Sequence, residues 1–388
     1  MPIEDAARKV KFKSFVIFFL FIGVLSDVWL LSVSAAAMPL WVWGAICFPS
    51  LVTLCCLPFI GFGVRYTAAV RIFSWVTFLF EVPKLVMSCF SAIFRYAVSM
   101  EPPRADSIAL AIGVAVSISF FFFIFYFSRH LIVKTVTIRF PSLPKGLDGF
   151  KLCQLSDLHV GSFGKAPRYI KKIVDTTLAQ KPELILFTGD LVNFSTSEVK
   201  PFLDELSRLK APMGVYSIRG NHDYLLHGHL NEAERLSDTR DLLAFEEGLG
   251  WTVLRNQNVL LRRGDDALAV AGVENVSANP FFTNTGGDLA RAMEGIPEEV
   301  FTILMSHDPS HWRSEVLPHS SIPLTLSGHT HGLPFKFAGF DPSHWRLHEN
   351  GGLYEENGRY LHVSKGLGSA FAFRLGSFPR IDVIILKR

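Results

Sequence analysis

Five short clusters in the later two-thirds of the chain carry side chains that do chemistry. They are Asp157-Leu158-His159, Gly189-Asp190, Gly220-Asn221-His222-Asp223, Ser306-His307-Asp308 and Gly328-His329-Thr330-His331. Carboxylate oxygen, imidazole nitrogen and amide oxygen are the donors of mixed oxygen–nitrogen sites for Mn²⁺, Fe²⁺, Zn²⁺ or Mg²⁺. On a strand, residues i and i+2 point the same way, so Asp157 with His159 and His329 with His331 can each aim two donors at one place. Asp190 has two oxygens and can bridge two ions. Two ions ~3.5–4 Å apart can clamp a phosphoryl group and generate hydroxide between them. Any one cluster alone reads as a turn or a capped helix start. Five of them, each after a β-rich run, read as one centre.

The runs that must position these clusters are 135–140, 150–155, 183–187, 214–218, 267–272, 301–305, 323–326, 360–363 and 381–386. Helices fit best over 166–180, 197–209, 232–248 and 286–294. Each early strand ends in a polar cluster and a helix follows, the layout of an α/β domain with its site at the carboxyl ends of the strands. Residues 133–388 are enough to bury one large core.

Composition separates this part from the rest. Residues 1–130 hold 16 of the 73 charged side chains and the other 258 residues hold 57. The chain is 49% hydrophobic, with mean hydropathy +0.30 and 35 phenylalanines. That excludes a disordered chain, a basic nucleic-acid-binding protein and a soluble enzyme of uniform composition. Five cysteines (Cys47, Cys55, Cys56, Cys89, Cys153) have no framework spacing and read as reduced apolar fillers.

Apolar segments 14–34, 41–63, 72–94 and 107–128 are each long enough for a hydrocarbon core, so residues 1–132 read as a membrane domain of about four transmembrane helices. Arg8, Lys9, Lys11 and Lys13 precede the first, and Arg129, Lys134 and Arg139 follow the fourth. The positive-inside rule then puts both termini, and the later domain, in the cytoplasm. Asp27, Glu81 and Lys84 fall inside these segments, where an isolated charge is costly. Glu81 and Lys84, three apart on one helical face, can pair. They read either as a path through the bundle or as a helix–helix contact.

Taken as a set, the clusters resemble the five blocks of the calcineurin-like metallophosphoesterase superfamily (D-x-H, G-D, G-N-H-D/E, H and G-H-x-H) over about residues 150–370. Within it the chain looks most like membrane-anchored bacterial phosphoesterases, through Leu155-Ser156-Asp157-Leu158-His159 and Thr188-Gly189-Asp190-Leu191-Val192. The resemblance implies an αββα sandwich over 133–388 and a dinuclear centre. Asp157, His159, Asp190 and His331 would hold one divalent ion, and Asp190, Asn221, His307 and His329 the other, with Mn²⁺ favoured. His222 would not ligate but would protonate the leaving oxygen, with Asp223 orienting its ring. Arg374 is a tentative phosphate contact. The chain departs from many relatives at Gly332-Leu333-Pro334 and at Ala372, which bear on substrate contacts.

The function this implies is a membrane-bound phosphoesterase hydrolysing a phosphodiester or pyrophosphate, its substrate lipid-linked, at the cytoplasmic face of a bacterial inner membrane. Its partners would be that substrate and membrane lipids, with no nucleic acid and no protein partner implied. Alternatives are a phosphodiesterase for a soluble nucleotide or diester with the helices as anchor, a non-catalytic scaffold, and a regulated channel or transporter. The aromatic, basic stretch 334–352 (Phe335, Lys336, Phe337, Phe340, Trp345, Arg346) reads either as an interfacial lid or as a packed surface loop. Among the other histidines, His311 and His362 are the best placed for an outer contact to the centre, and His227, His229, His319, His344 and His348 read as surface or packing groups.

Overall fold

The structure, a computed structural model, describes residues 18, 20–33, 40–62, 66–164, 167–226, 230–278, 285–331, 348–369, 373–374 and 377–388. Gly332 to Pro334, most of the aromatic stretch, His227, His229, His344 and Ala372 therefore lie outside the described residues. The chain divides into two compact units, Met1–Tyr126 and Phe127–Arg388.

Three described helices are long and apolar enough to cross a membrane, over Leu40–Phe59, Ala68–Ala97 and Pro102–Arg129. Of the first expected span, the helix Leu20–Val33 is described, shorter than the ~20 residues a crossing takes. The helix through Glu81 widens into a π turn at Thr77–Glu81. Pro83 explains it, because proline has no N–H to give and its ring crowds the carbonyl four residues back. That carbonyl belongs to Leu79, and the Ser117 hydroxyl donates to it instead.

The second unit is built from two six-stranded sheets. One has the order β1 (Ile132–Arg139), β12 (Arg380–Lys387), β2 (Lys151–Leu155), β3 (Leu184–Phe187), β4 (Val215–Ser217), β5 (Thr252–Val253). The other runs β10 (Gly352–Glu356), β11 (Arg359–Val363), β9 (Leu324–Ser327), β8 (Phe301–Met305), β7 (Asp266–Gly272), β6 (Gln257–Arg263). The period of two along the strands sorts their side chains between two cores. Leu152, Leu184, Leu186, Val270, Ile303, Met305, Leu324 and Leu326 meet between the sheets. Cys153, Leu155, Ile185 and Phe187 point outward, onto Ile170, Ile173 and Val174 of the helix Arg168–Ala179. On the far side, Ala271, Leu304, Leu361 and Val363 are covered by Leu289, Trp312 and Val316. Helix, sheet, sheet and helix layers follow, a mixed α/β sandwich. Strands with both faces covered read as unbroken apolar runs.

The helix expected over 197–209 is instead three short turns at Thr196–Glu198, Lys200–Phe202 and Leu203–Leu206, since Pro201 cannot donate inside a helix. The helix Glu232–Gly248 starts at a capping box between Asn231 and Glu234. On its inner face Glu246 is buried against the Ser217 hydroxyl at 2.5 Å. Burial, reinforced by Asp223, pushes its carboxyl from 4.5 up to about 8. Between pH 4.5 and 8 the folded chain therefore holds a proton that the unfolded chain releases. Stability should fall across that window by about 1.4 kcal/mol per pH unit at most. Glu246→Gln should flatten this slope and raise the thermal midpoint above pH 7. An unchanged pH profile of the unfolding midpoint would show the carboxyl to be ionised.

Candidate metal centre

The clusters converge just past the carboxyl ends of their strands. β2 ends at Leu155 and β9 at Ser327, before the first donor of each pair. Strand alternation is thus not what aims Asp157 with His159 or His329 with His331. All four have left-handed backbones, with φ of 50°, 46°, 71° and 51°, and so does Asp190 at 61°. Non-glycine residues seldom adopt this region, and a cluster of them marks a functional constraint held by its surroundings. The bracing is visible. Asp157, His159 and Val160 donate their N–H groups to the carbonyls of Gly189, Asp190 and Leu191 at 2.9, 3.1 and 2.9 Å, which zips the first two loops together. Gly189 has to be glycine, because a Cβ there would lie 2.5 Å from the Gly220 nitrogen.

Two groups of donor atoms result, each gathered within 4.8 Å: Asp157, His159, Asp190 and His331, and Asp190, His307 and His329. Asp190 belongs to both. Its Oδ2 lies 3.4 Å from His159 Nε2 and 3.3 Å from His307 Nε2. His159 Nε2 and His331 Nε2 face each other at 3.2 Å, and Asn221 Oδ1 is 2.9 Å from His329 Nδ1. His307 Nδ1 donates to the Thr188 carbonyl at 2.7 Å, which leaves its Nε2 lone pair for a cation. That Nε2 is buried with no hydrogen-bond partner. Burial opposes charge on these groups, yet the imidazoles of His307 and His222 hold Asp190 well below the usual carboxylate range. Against its own burial, His307 is pushed up to about 10 by Asp190. The pocket's field thus draws positive charge inward, and buried imidazoles aimed at one another and at carboxylates fit divalent cations.

His222 and Asp223 open a short turn after β4. The half-buried His222 ring belongs to neither donor group; it stands edge-on to His159 at 4.9 Å between centroids. Its Nδ1 meets the Asn193 carbonyl at 2.9 Å. The role expected of Asp223 is corrected here. Its carboxylate accepts from the amides of Asp190, Leu191, Val192 and Gly220 at 2.7, 2.8, 3.2 and 2.9 Å. Asp223 ties the second block to the third, and a backbone carbonyl orients the histidine. No side-chain type announces such an acceptor, so the sequence held no signal for it.

Arg374 is corrected as well. Its guanidinium is buried and donates to the carbonyls of His331 (2.8 Å), Ser377 (3.1 Å), Lys365 and Gly368. It clamps the last histidine by its main chain and does not present itself to a phosphate. Asp308, adjacent to His307, places Oδ2 3.6 Å from His329 Nε2. His311 bridges the Ser306 hydroxyl at 2.9 Å and Glu315 at 2.8 Å, away from both donor groups. His362 lies between the sheets against Gln154 at 2.7 Å, and burial pushes it down to about 4, so it stays neutral.

A family model described as calcineurin-like phosphoesterase matches residues 150–333. A Bacillus subtilis (strain 168) protein called Uncharacterized metallophosphoesterase YkuE is 30% identical over 274 residues, spanning 68% of this chain and 88% of its own. The chain belongs to the calcineurin-like metallophosphoesterases. It is therefore a metal-dependent phosphoesterase, a hydrolase. An Aquifex aeolicus (strain VF5) metallophosphoesterase is 28% identical over 266 residues, 68% of this chain and 93% of its own. A Bos taurus protein called Transmembrane protein with metallophosphoesterase domain is 29% identical over 268 residues, 66% of this chain but 57% of its own length. This chain has three described helices long and apolar enough to cross a membrane.

Proposed function

We propose that the chain hydrolyses a phosphodiester or pyrophosphate bond of an amphiphilic, lipid-linked substrate, with a membrane domain over 1–132 and the phosphoesterase domain over 133–388. The observation that carries the chemistry is the shared carboxylate of Asp190 between two groups of imidazole and carboxylate donors. Asp157, His159, Asp190 and His331 would hold one divalent ion, and Asp190, Asn221, His307 and His329 the other. Bound there, the ions supply Lewis acidity toward phosphoryl oxygens and ready water for attack. Mn²⁺ suits this oxygen–nitrogen set better than Ca²⁺, which prefers larger all-oxygen shells.

The chain's own part is positioning and proton transfer. The Asn193 carbonyl fixes the His222 ring through Nδ1, and Nε2 is the nitrogen that would carry a proton to the leaving oxygen. The His222 amide donates to Asp190 Oδ1 at 2.9 Å and so ties this acid to the bridging carboxylate. The lipid-linked assignment rests on tethering. Helices that confine an enzyme to a surface raise the effective concentration of a substrate in that surface and fix its headgroup height. The basic residues before and after the apolar segments favour the cytoplasmic side of a bacterial inner membrane.

The test uses full-length protein in mixed micelles, stripped by chelator and reloaded with Mn²⁺ or Ca²⁺. Mn²⁺ should restore turnover, with kcat/KM for a lipid pyrophosphate or lipid phosphodiester at least tenfold above that for its water-soluble headgroup. Equal values would refute the lipid-linked substrate and favour a soluble diester. No hydrolysis of any phosphoester after reloading would refute the proposed reaction and metals.

A further inference from the structure

The membrane unit contains a buried ionic quartet that phosphoester hydrolysis does not use. Asp27 comes from Leu20–Val33, Ser50 from Leu40–Phe62, and Glu81 and Lys84 from the π-widened helix. Lys84 Nζ sits among four acceptors: Asp27 Oδ1 at 2.5 Å, Glu81 Oε2 at 3.0 Å, Ser50 Oγ at 3.0 Å and the Ile46 carbonyl at 3.1 Å. Such a cage demands the ammonium form, which has three N–H groups and no acceptor. Ser50 Oγ also lies 3.1 Å from Glu81 Oε1. The side chains of Asp27, Glu81 and Lys84 are 10%, 1% and 12% exposed. Space for the Glu81 carboxyl is built in at Gly23, where a Cβ would stand 2.4 Å from Glu81 Oε2.

The charges do not balance. Two carboxyl groups face one ammonium. Among the other charged side chains described in this unit, Arg95 pairs with Asp106, and none of Arg71, Glu101 and Arg104 bonds to the quartet. An uncompensated charge in the hydrocarbon region is strongly disfavoured. Asp27 takes the shorter contact to Lys84, while Glu81 is the more buried of the two carboxyl groups. We propose that the quartet is a proton-binding site in the membrane: Glu81 carries one exchangeable proton beside an ionised Lys84–Asp27 pair. The helices thus have a ligand of their own, which anchoring a hydrolase does not require.

Infrared spectra of the full-length protein in lipid nanodiscs, in H₂O and D₂O at neutral pH, test this. All forms carry Glu246→Gln, so that the buried acid of the other unit does not contribute. Relative to Glu81→Gln, the parent should show one extra carboxylic-acid C=O band that shifts on deuteration. Glu81→Gln should fold with an unchanged thermal midpoint, because glutamine reproduces a neutral side chain at this place. Asp27→Asn should lose the band although Glu81 is present, since Lys84 then needs Glu81 ionised. Lys84→Met should roughly double it. The idea is overturned if the parent lacks the band, if Asp27→Asn keeps it in full, or if it appears only when sodium is replaced by choline. That last result would show a metal cation in place of the proton.

Discussion

Asp190→Ala should strip the enzyme of both metal ions at once. Its Oδ2 lies 3.3–3.4 Å from one histidine of each donor group, and no other described residue is common to the two. Losing an outer-shell partner of a ligand typically costs about 10–100-fold in metal affinity or activity. Removing a shared ligand should cost more, at both positions. Metal analysis after dialysis should find less than one equivalent of Mn²⁺ per chain against two in the parent. Turnover at saturating Mn²⁺ should fall by more than about 100-fold. Asp190→Asn keeps the acceptor for the His222 amide while removing the charge, so it controls for a collapsed loop. If either variant retains two equivalents, the shared-carboxylate reading is wrong.

His222→Ala should have the opposite pattern, with metals kept and chemistry lost. The ring belongs to neither donor group and is held by the Asn193 carbonyl. A positioned acid is worth about 10²–10⁴-fold, so kcat should fall by that factor on a substrate with an alkoxide-like leaving group. The loss should shrink on a chromogenic ester, whose leaving group departs without a proton. A His222 variant that loses an ion, or that slows both substrates equally, would assign the side chain to binding rather than proton transfer.

Much of the sandwich was legible because most of its strands are buried on both faces. Runs such as Leu184–Phe187 and Phe301–Met305 are unbroken apolar text, and each expected strand lies within a few residues of an observed one. The strands without a counterpart in the expectation are β5, β6 and β10. β5 has two residues, and β6 and β10 are edges whose exposed positions mix polar residues with Leu260 and Leu353, so no clean pattern marks them. The donor residues were legible by type. Their geometry was not, because Asp157, His159, Asp190, His329 and His331 are aimed by left-handed turns fastened to neighbouring loops. Backbone groups hid two further roles: the carbonyl orienting His222, and the carbonyls that occupy Arg374. In the first unit the Glu81–Lys84 pair follows from helical spacing. The third charge, Asp27, arrives from 57 residues away through packing alone.

The strand order of the first sheet has a consequence for how the protein is made. β1, which follows the last apolar helix, lies at the sheet edge and pairs with β12 alone, Ile132 against Arg380 through Arg139 against Lys387. β12 in turn supplies the antiparallel neighbour of β2. A ribosome must therefore add more than two hundred residues after β1 before that strand gains its hydrogen-bonding partner. Until then β1 and β2 both present open edges, the surfaces on which nascent chains mispair. Closure over so long a loop is intrinsically slow. The loops carrying Asp157 and Asp190 are thus synthesised early, but the sheet that holds them is completed only when β12 threads between β1 and β2.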